Sequence, residues 1–289
     1  MRTQRYPLRR TAPAGTLRGS RSAHLIDHRN AKNRLELEDA DIEELEENVG
    51  LFYGSYLRRP DYDGGVYYDL FEGVEKIAEV FQVDSNAEAL SALHADLVQR
   101  IQNKLPPVSE RPSIAYYTNN WWEEGTDTFL FDPRQDGAQF GPFHDLEIAD
   151  NYEFADIYEE RGESLVTGDE ELLLELNPDV LILHSGLGNL RDAERDYEKL
   201  YGPLEENEIT SQVTAIQEER AYPIHDNVAG PIGRLFLTEM FAKVLYPDQF
   251  GEHPGASPPY EGLKDPLPED EWLFDRREFA DIITSEERV

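Results

Sequence analysis

A proline between two apolar runs places the strongest constraint on how this chain can fold. Residues 170–186 read EELLLELNPDVLILHSG. Because Pro178 lacks an amide hydrogen and its ring clashes one helical turn back, the leucine-rich run at 172–176 must end before it. The apolar run at 180–183 then predicts a buried strand that ends at His184-Ser185-Gly186. Open α/β sheets bind ligands at such strand ends, although an ordinary helix–strand corner has the same pattern.

The charge and the composition of the chain exclude several classes of partner and site. Its 289 residues include 60 acids and 27 bases, for a net charge of −33. Binding to nucleic acid or to anionic lipid requires a basic face, so neither is expected. The absence of cysteine excludes disulfides, zinc–thiolate sites, iron–sulfur clusters and thiol catalysis. No apolar run is long enough to cross a membrane, and no secretory signal is visible after Arg9-Arg10.

The acidic residues are unevenly distributed along the chain. Residues 1–34 contain nine bases and one acid, so they carry +8 and the remainder carries −41. The acidic part contains many aromatic residues and apolar runs, which argues against disorder there. We therefore interpret the acids as a solvated coat on a folded body, of the kind that halophilic proteins carry. Residues 1–34 are interpreted as a disordered basic segment outside that body.

Apolar spacing predicts several helices. Ser85-Asn86-Ala87-Glu88 has the pattern of a capping box, and the helix that it opens ends at Pro106-Pro107. A helix of about twenty residues is roughly 30 Å long, enough to connect two lobes, although a helix packed within one domain would have the same pattern. The other predicted helices lie at 38–48, 67–81, 142–155, 191–200, 231–245 and 272–283.

Short apolar runs alternate with these helices from residue 113 onward. Strands are predicted at 113–118, 128–131, 180–183, 213–216 and 221–224. A second capping box, Thr167-Gly168-Asp169-Glu170, precedes the helix that ends at Pro178. The alternation of strand and helix predicts an α/β lobe.

Four segments of the chain, one of them the stretch at 170–186, resemble segments of a known family. They read PFHDLEIADNYEFAD, EELLLELNPDVLILHSG, VTAIQEERAYPIHDN and PIGRLFLTEMFAKVLYPDQF, and they follow the long helix and the strand at 111–116. In order and spacing, over roughly residues 67–250, they resemble the substrate-binding proteins of ABC importers for iron–siderophore complexes, such as ferrichrome, and for cobalamin.

The resemblance implies the fold, the location and the partners of the protein. It implies an α/β fold in which two Rossmann-like lobes are joined by one long rigid helix, with the ligand in the cleft between them. It also implies a monomeric, non-catalytic protein without a resident cofactor. Such a protein would lie outside the cell, held at the membrane by an anchor or by its ABC permease. The same architecture serves zinc and manganese binders and part of nitrogenase-like enzymes, so the fold alone does not determine the ligand.

The resemblance also divides the chain. Residues 35–84 would be a remnant of the N-terminal lobe, 85–107 the interlobe helix and 108–289 the C-terminal α/β lobe. The family has an export signal and a complete first lobe of several strands, whereas only about fifty residues of matching character precede the long helix here. We therefore expect an N-terminally truncated or frame-disrupted member whose cleft lacks part of one wall.

The candidate ligand-binding residues follow the predicted strands. A ferric siderophore is a bulky, partly apolar chelate with many oxygen atoms, which aromatic faces and a few hydrogen-bond donors would bind. For the tryptophans, the arginine and the first histidine a structural role is the alternative: lobe packing, a surface ion pair and a hydrogen-bonded strand end, respectively. The candidates are Tyr117, Trp121, Trp122, Arg134, His184, His225 and Asn227.

Two other functions remain open on the sequence. His184 and His225, with an N-terminal histidine, could bind free zinc or manganese, but there is no His-rich loop or HExxH motif. An α/β enzyme is less favoured, because Ser185 lies in H-S-G rather than G-x-S-x-G and no glycine-rich phosphate loop is present.

The acidic coat predicts that the protein folds only at high salt. Repulsion among the excess carboxylates opposes the compact state, and added salt screens it. Circular dichroism in a potassium chloride series should show the helical signal rising with salt concentration. A fully folded chain in low-salt buffer would contradict this interpretation.

Overall fold

The computed structural model describes residues 38–48, 68–119, 128–184, 201–224, 230–253, 258 and 266–285. The chain divides into two units, Met1–Tyr56 and Leu57–Val289. In the first unit, helix α1 (Asp39–Asn48) confirms the helix predicted at 38–48. The rest of the structure belongs to the second unit. The boundaries predicted at residues 34, 84 and 107 stay predictions.

A five-stranded mixed sheet lies at the centre of the described part of the second unit. Its strands are β1 (Ile114–Asn119), β2 (Thr128–Phe131), β3 (Leu165–Gly168), β4 (Val180–His184) and β5 (Ala221–Ile224), in the order β3-β2-β1-β4-β5. Strand β4 pairs in parallel with β1 and β5, whereas β2 is antiparallel to both β1 and β3. Among these strands, β2 alone therefore runs in the opposite direction. The carboxyl ends of the other four meet at one edge, which we call the carboxyl edge.

Helices and short turns connect and cover the strands. The helices are α2 (Leu70–Phe81), α3 (Asp84–Gln102), α4 (Gly141–Asp145), α5 (Ala155–Arg161), α6 (Glu170–Leu176), α7 (Gly202–Glu206), α8 (Thr214–Gln217), α9 (Pro231–Leu245), α10 (Pro247–Phe250) and α11 (Arg276–Thr284). Single 3-10 turns lie at Val108–Glu110, Ala149–Asn151, Thr210–Gln212 and Glu269–Glu271.

The break at Pro178 forms as predicted. Asp169 caps α6 by accepting a hydrogen bond of 2.9 Å from the amide of Leu172. The helix then ends at Asn177, which adopts the left-handed conformation with φ 42°. Strand β4 follows at once, and all five of its residues are buried. Strands buried on both faces are typically continuous apolar runs rather than alternating ones, which explains the sequence VLIL.

The long helix also forms. Its buried face consists of Leu90, Leu93, Leu97 and Ile101, at the predicted spacing, together with Ala87. Helix α3 packs against α2, α9 and α11. Helix α9 begins at Pro231 and ends before Tyr246-Pro247, as predicted, but most of its side chains from Arg234 to Leu245 are buried, so the prediction that it is amphipathic is wrong.

Two predicted elements are wrong. Instead of one helix at 142–155, α4 ends after Asp145 because Glu147 takes a left-handed conformation with φ 56°. The chain then passes through a 3-10 turn before α5. Residues 213–216, predicted as a strand, form the short helix α8, although β-branched residues favour strands. Local backbone hydrogen bonds outweigh that weak preference here, as when the amide of Gln217 donates to the carbonyl of Val213.

Both predicted capping boxes are misplaced. Helix α3 starts at Asp84, and Val83 occupies the cap position without a side-chain hydrogen bond, so Ser85 lies inside the helix. Thr167 and Gly168 belong to β3, which the sequence did not predict.

Two other helix starts differ from the prediction. A genuine capping box forms at α2, where Asp69 and Glu72 exchange side-chain and backbone hydrogen bonds. Asp275 caps α11, which therefore begins at Arg276 instead of residue 272. The helix predicted at 191–200 lies outside the described residues.

A buried ion cluster links α3 to α4 and α9. The Asp145 carboxylate accepts two hydrogen bonds from Arg234, of 2.6 and 2.8 Å, and one of 2.6 Å from the Thr238 hydroxyl. His94 on α3 lies 3.0 Å from the same carboxylate. A Cβ atom on Gly141 would lie 0.8 Å from Nη1 of Arg234, so only glycine leaves room for this guanidinium.

The cluster controls the ionisation of Asp145. Burial alone would raise the pKa of this carboxyl, but the hydrogen bond to His94 and the charge of Arg234 outweigh it and hold the pKa well below its ordinary value. Since the folded pKa is depressed, the stabilisation is complete above the ordinary aspartate pKa of about 4. It is lost as pH falls below that value toward the folded pKa.

We expect Asp145→Asn to lower the free energy of unfolding by about 3–5 kcal/mol, because it leaves Arg234 buried without a counter-charge. Guanidinium denaturation at neutral pH measures this loss, and Asp150→Asn is the matched control since Asp150 is exposed. The difference between wild type and Asp145→Asn should shrink as pH falls below about 4. Equal stability of the two variants at neutral pH would contradict a stabilising role for the cluster.

Candidate functional site

The carboxyl edge of the sheet brings four strand ends together. Asn119 of β1 lies opposite Thr128 of β2, which in turn lies opposite Gly168 of β3. His184 of β4 lies opposite Ile224 of β5. The segments 120–127, 185–200 and 225–229 follow β1, β4 and β5 in the chain and lie outside the described residues. Ligands of open α/β sheets bind beyond this kind of edge.

His184 occupies an aromatic environment at the end of β4. A hydrogen bond of 2.6 Å joins its Nδ1 to the hydroxyl of Tyr116, and Thr118 donates one of 3.2 Å to its backbone carbonyl. The ring of Phe131 lies 4.9 Å away between centroids, and His184 is only 3% exposed. This geometry is that of a hydrogen-bonded strand-end histidine, one of the two roles considered from the sequence. Contact with a ligand stays a prediction.

Tyr117 lies on β1, beside Leu183 of β4 in the sheet register. Burial raises the pKa of its hydroxyl well above the ordinary value, and the negative charge of Glu170 raises it further. The hydroxyl is therefore neutral at physiological pH and can both donate and accept a hydrogen bond. Its ligand-binding role is likewise a prediction.

Arg134 lies at the opposite edge of the sheet. Because β2 is antiparallel, its last residue, Phe131, pairs with the first residue of β3, Leu165. The expectation that Arg134 lies on the same side as His184 is therefore wrong, since every strand was assumed to run in the same direction.

The charge of Arg134 is neutralised where it lies. Its guanidinium donates three hydrogen bonds to the carboxylate of Asp132, of 2.9 and 3.2 Å from Nε and of 2.9 Å from Nη2. Nη1 donates a fourth, of 2.8 Å, to Glu159. These bonds raise the pKa of the guanidinium above its ordinary value. Arg134 therefore forms the surface ion pair that was the alternative role considered from the sequence.

The other four candidates, Trp121, Trp122, His225 and Asn227, lie outside the described residues. In the chain the tryptophans follow β1 closely, and His225 follows β5 directly. Glu170 was missed as a residue of this edge, although its charge acts on Tyr117. Strand β3 was not predicted from the sequence. Had it been, the start of α6, and Glu170 with it, would have been placed at the carboxyl end of that strand.

The residues that the structure describes, in α1 and in the second unit, offer neither a metal cluster nor a membrane span. These residues contain no group of three histidine, aspartate or glutamate side chains able to hold a metal ion. None of the helices there is both long and apolar enough to cross a membrane.

No protein-family model and no curated protein matches the chain. Solved structures do. A siderophore periplasmic binding protein from the fuscachelin gene cluster of Thermobifida fusca matches with a TM-score of 0.54 and 12% identity, over 77% of this chain and 73% of that one. The TroA-like periplasmic binding protein FepB of Veillonella parvula matches with a TM-score of 0.52 and 15% identity, over 84% and 67%. This chain has the fold of periplasmic binding proteins.

A third structure agrees with this assignment. A possible iron-binding (periplasmic solute-binding) protein of Staphylococcus epidermidis matches with a TM-score of 0.50 and 14% identity, over 75% of this chain and 74% of that one. The resemblance found in the sequence motifs is thereby confirmed at the level of the fold.

The bond between Tyr116 and His184 gives a test of the strand-end geometry. Tyr116→Phe should lower the free energy of unfolding by about 1–2 kcal/mol, because it leaves a buried imidazole nitrogen without this partner. Tyr246→Phe is the control, since the Tyr246 hydroxyl is buried and has no hydrogen-bond partner in the described structure. Chemical denaturation should separate the two variants, and an equal effect in both would rule out a specific role for the bond.

Proposed function

We propose that this protein is the extracytoplasmic solute-binding component of an ABC importer. It captures an iron(III)–siderophore, or a cobalamin-like chelate, beyond the carboxyl edge of the sheet and delivers it to the permease. The observation that carries the proposal is the coincidence of two features at that edge. Open α/β sheets in general bind ligands beyond this edge, and apart from Arg134 the aromatic and polar candidates of the sequence lie at or after the ends of β1, β4 and β5.

The chemistry of the edge suits a chelate better than a bare ion. Tyr117 contributes a neutral hydroxyl, and Trp121 and Trp122 contribute large aromatic faces that bind a partly apolar ligand. Catecholate or hydroxamate oxygens remain on the iron and are recognised by hydrogen-bond donors. Capture occurs by closure of the protein over the chelate, without covalent chemistry and without a resident cofactor.

Delivery requires a permease partner at the membrane. The chain carries a net charge of −33, so its surface offers many carboxylates that could pair with arginines of a permease. This electrostatic complementarity fits a transient complex that forms quickly and dissociates after ligand release. The protein acts outside the cytoplasmic membrane in this proposal, and as a monomer.

Direct binding of zinc or manganese is the alternative from the sequence. Of the two histidines that it requires, His184 is bonded to Tyr116 inside the aromatic core. The chelate is therefore the better-supported ligand.

Tryptophan fluorescence tests the proposal directly. The chain contains three tryptophans, at positions 121, 122 and 272. Titration with a ferric hydroxamate siderophore should quench the emission saturably, because iron(III) chelates accept excitation energy from nearby indoles. The double variant Trp121→Phe/Trp122→Phe should lose most of this quenching.

The control uses the third tryptophan. Trp272 precedes α11 in the chain rather than following a strand, and its indole donates a hydrogen bond of 2.8 Å to the carbonyl of Leu267, so Trp272→Phe should leave the saturable quenching in place. The iron-free siderophore should bind weakly, and zinc or manganese should produce no saturable change. Tight binding of the free metal ions with no response to ferric siderophores would overturn the proposal.

A further inference from the structure

One acidic side chain at the carboxyl edge is neutralised by no described residue. Glu170 is the first residue of α6 and comes two residues after Gly168, the last residue of β3. Asp169, and not Glu170, accepts the hydrogen bond that caps the helix. Glu170 is half-buried, and among the described residues its carboxylate has no hydrogen bond and no ion pair. The fold therefore does not use this charge.

The negative potential of Glu170 extends to Tyr117 on β1. Burial is the main cause that raises the pKa of the Tyr117 hydroxyl, and the charge of Glu170 raises it further. Tyr117 is 4% exposed, and its hydroxyl makes no hydrogen bond in the described structure. An acceptor on a ligand would satisfy this donor. A charge that disfavours a negative phenolate at this point also disfavours a negative ligand placed beside it.

The segments that follow the strands add no excess of positive charge. Residues 120–127, which join β1 to β2, read NWWEEGTD and contain three acids and no base. Residues 225–229 contain one acid and no base, and residues 185–200 contain four acids and three bases. The first of these segments, with both tryptophans of the candidate site, starts and ends at the carboxyl edge. An anionic ligand would thus meet net negative charge as it approaches this edge.

Iron(III) chelates differ in net charge. Three hydroxamate groups carry one negative charge each and balance the iron, so a ferric trihydroxamate is neutral or, with an added amine, cationic. Three catecholate groups carry two negative charges each and leave a trianion. The energy of placing a ligand beside a fixed carboxylate scales with the charge of the ligand. Glu170 therefore acts differently on the two classes.

From these observations, and on the basis of the function proposed above, we propose that Glu170 is a specificity-determining residue: the site accepts uncharged or cationic ferric trihydroxamates and rejects anionic tris-catecholates. Tyr117 donates to a hydroxamate oxygen, and the tryptophans contact the apolar part of the chelate. Discrimination comes from repulsion of the wrong ligand rather than from added attraction to the right one. A half-buried carboxylate is screened less than an exposed one, so the repulsion persists in the salt that the acidic coat requires.

Titrations of tryptophan fluorescence with three ferric chelates test the proposal on the full chain. Ferrichrome is a neutral trihydroxamate, ferrioxamine B a cationic one, and ferric enterobactin a trianionic tris-catecholate. The potassium chloride concentration is the lowest at which circular dichroism shows complete folding. Ferric enterobactin should bind at least about tenfold more weakly than ferrichrome, and ferrioxamine B at least as tightly as ferrichrome. Further potassium chloride should narrow the difference between the first two, because it screens the repulsion.

A variant of Glu170 connects the discrimination to this residue. Glu170→Gln removes the charge at nearly constant shape, and it should reduce the ratio of the affinities for ferrichrome and ferric enterobactin about fivefold. Glu171→Gln is the matched control, because Glu171 is the next residue of α6, carries the same charge and is exposed. This control should leave the ratio unchanged. The circular dichroism spectra and unfolding midpoints of both variants verify that they fold.

The outcomes distinguish this inference from the function on which it rests. Binding of ferric enterobactin as tight as that of ferrichrome would overturn the specificity and leave the proposed function standing. A ratio that falls equally in Glu170→Gln and Glu171→Gln, or in neither, would overturn the role of Glu170. The absence of saturable quenching by all three chelates would overturn the proposed function, and the specificity with it.

Discussion

Burial of β4 on both of its faces is the constraint on which the rest of the sheet depends. All five of its residues are buried, and β1 and β5 flank it in parallel. A parallel pair needs a crossover connection, so helices must return over the faces of the sheet and shield the apolar strand from water. The same parallel direction brings the ends of β1, β4 and β5 to one edge. The position of the candidate site is therefore a consequence of how the core is buried.

Buried ion pairs give this acidic protein its fixed internal geometry. Asp145 joins Arg234 of α9 to His94 of α3, and Glu239 of α9 accepts a hydrogen bond from Arg276 at the start of α11. Glu239 is 2% exposed. Because a buried charge without its partner is expensive, such pairs permit one register between the helices and penalise others. Most of the acids in the part of the chain that the structure describes are exposed and have no such role, which is why net charge alone says little about the fold.

The two edges of the sheet have different chemistry. The carboxyl edge combines the neutral hydroxyl of Tyr117 with the buried bond between Tyr116 and His184. At the opposite edge, the cavity beside Pro112, Asp179 and Arg220 is lined by charged side chains of both signs.

Local chemistry determined much of this structure from the sequence alone. Pro178 had to end α6, the apolar run after it had to be buried, and the spacing from Leu90 to Ile101 had to form one helical face. Each of these follows from sterics or from apolar periodicity within a short stretch.

Only the tertiary structure decided the direction of β2, and with it the place of Arg134. The direction of a strand depends on its partners, which lie far away in the chain, so no local pattern encodes it. The same reason explains why β3 was missed and why residues 213–216 became a helix. The cavity at the opposite edge was also invisible, because Arg111, Arg220 and Tyr246 line it from segments that come together only after the sheet and α9 have packed. Sequence periodicity determined which residues are buried, and tertiary packing determined which of the polar ones meet.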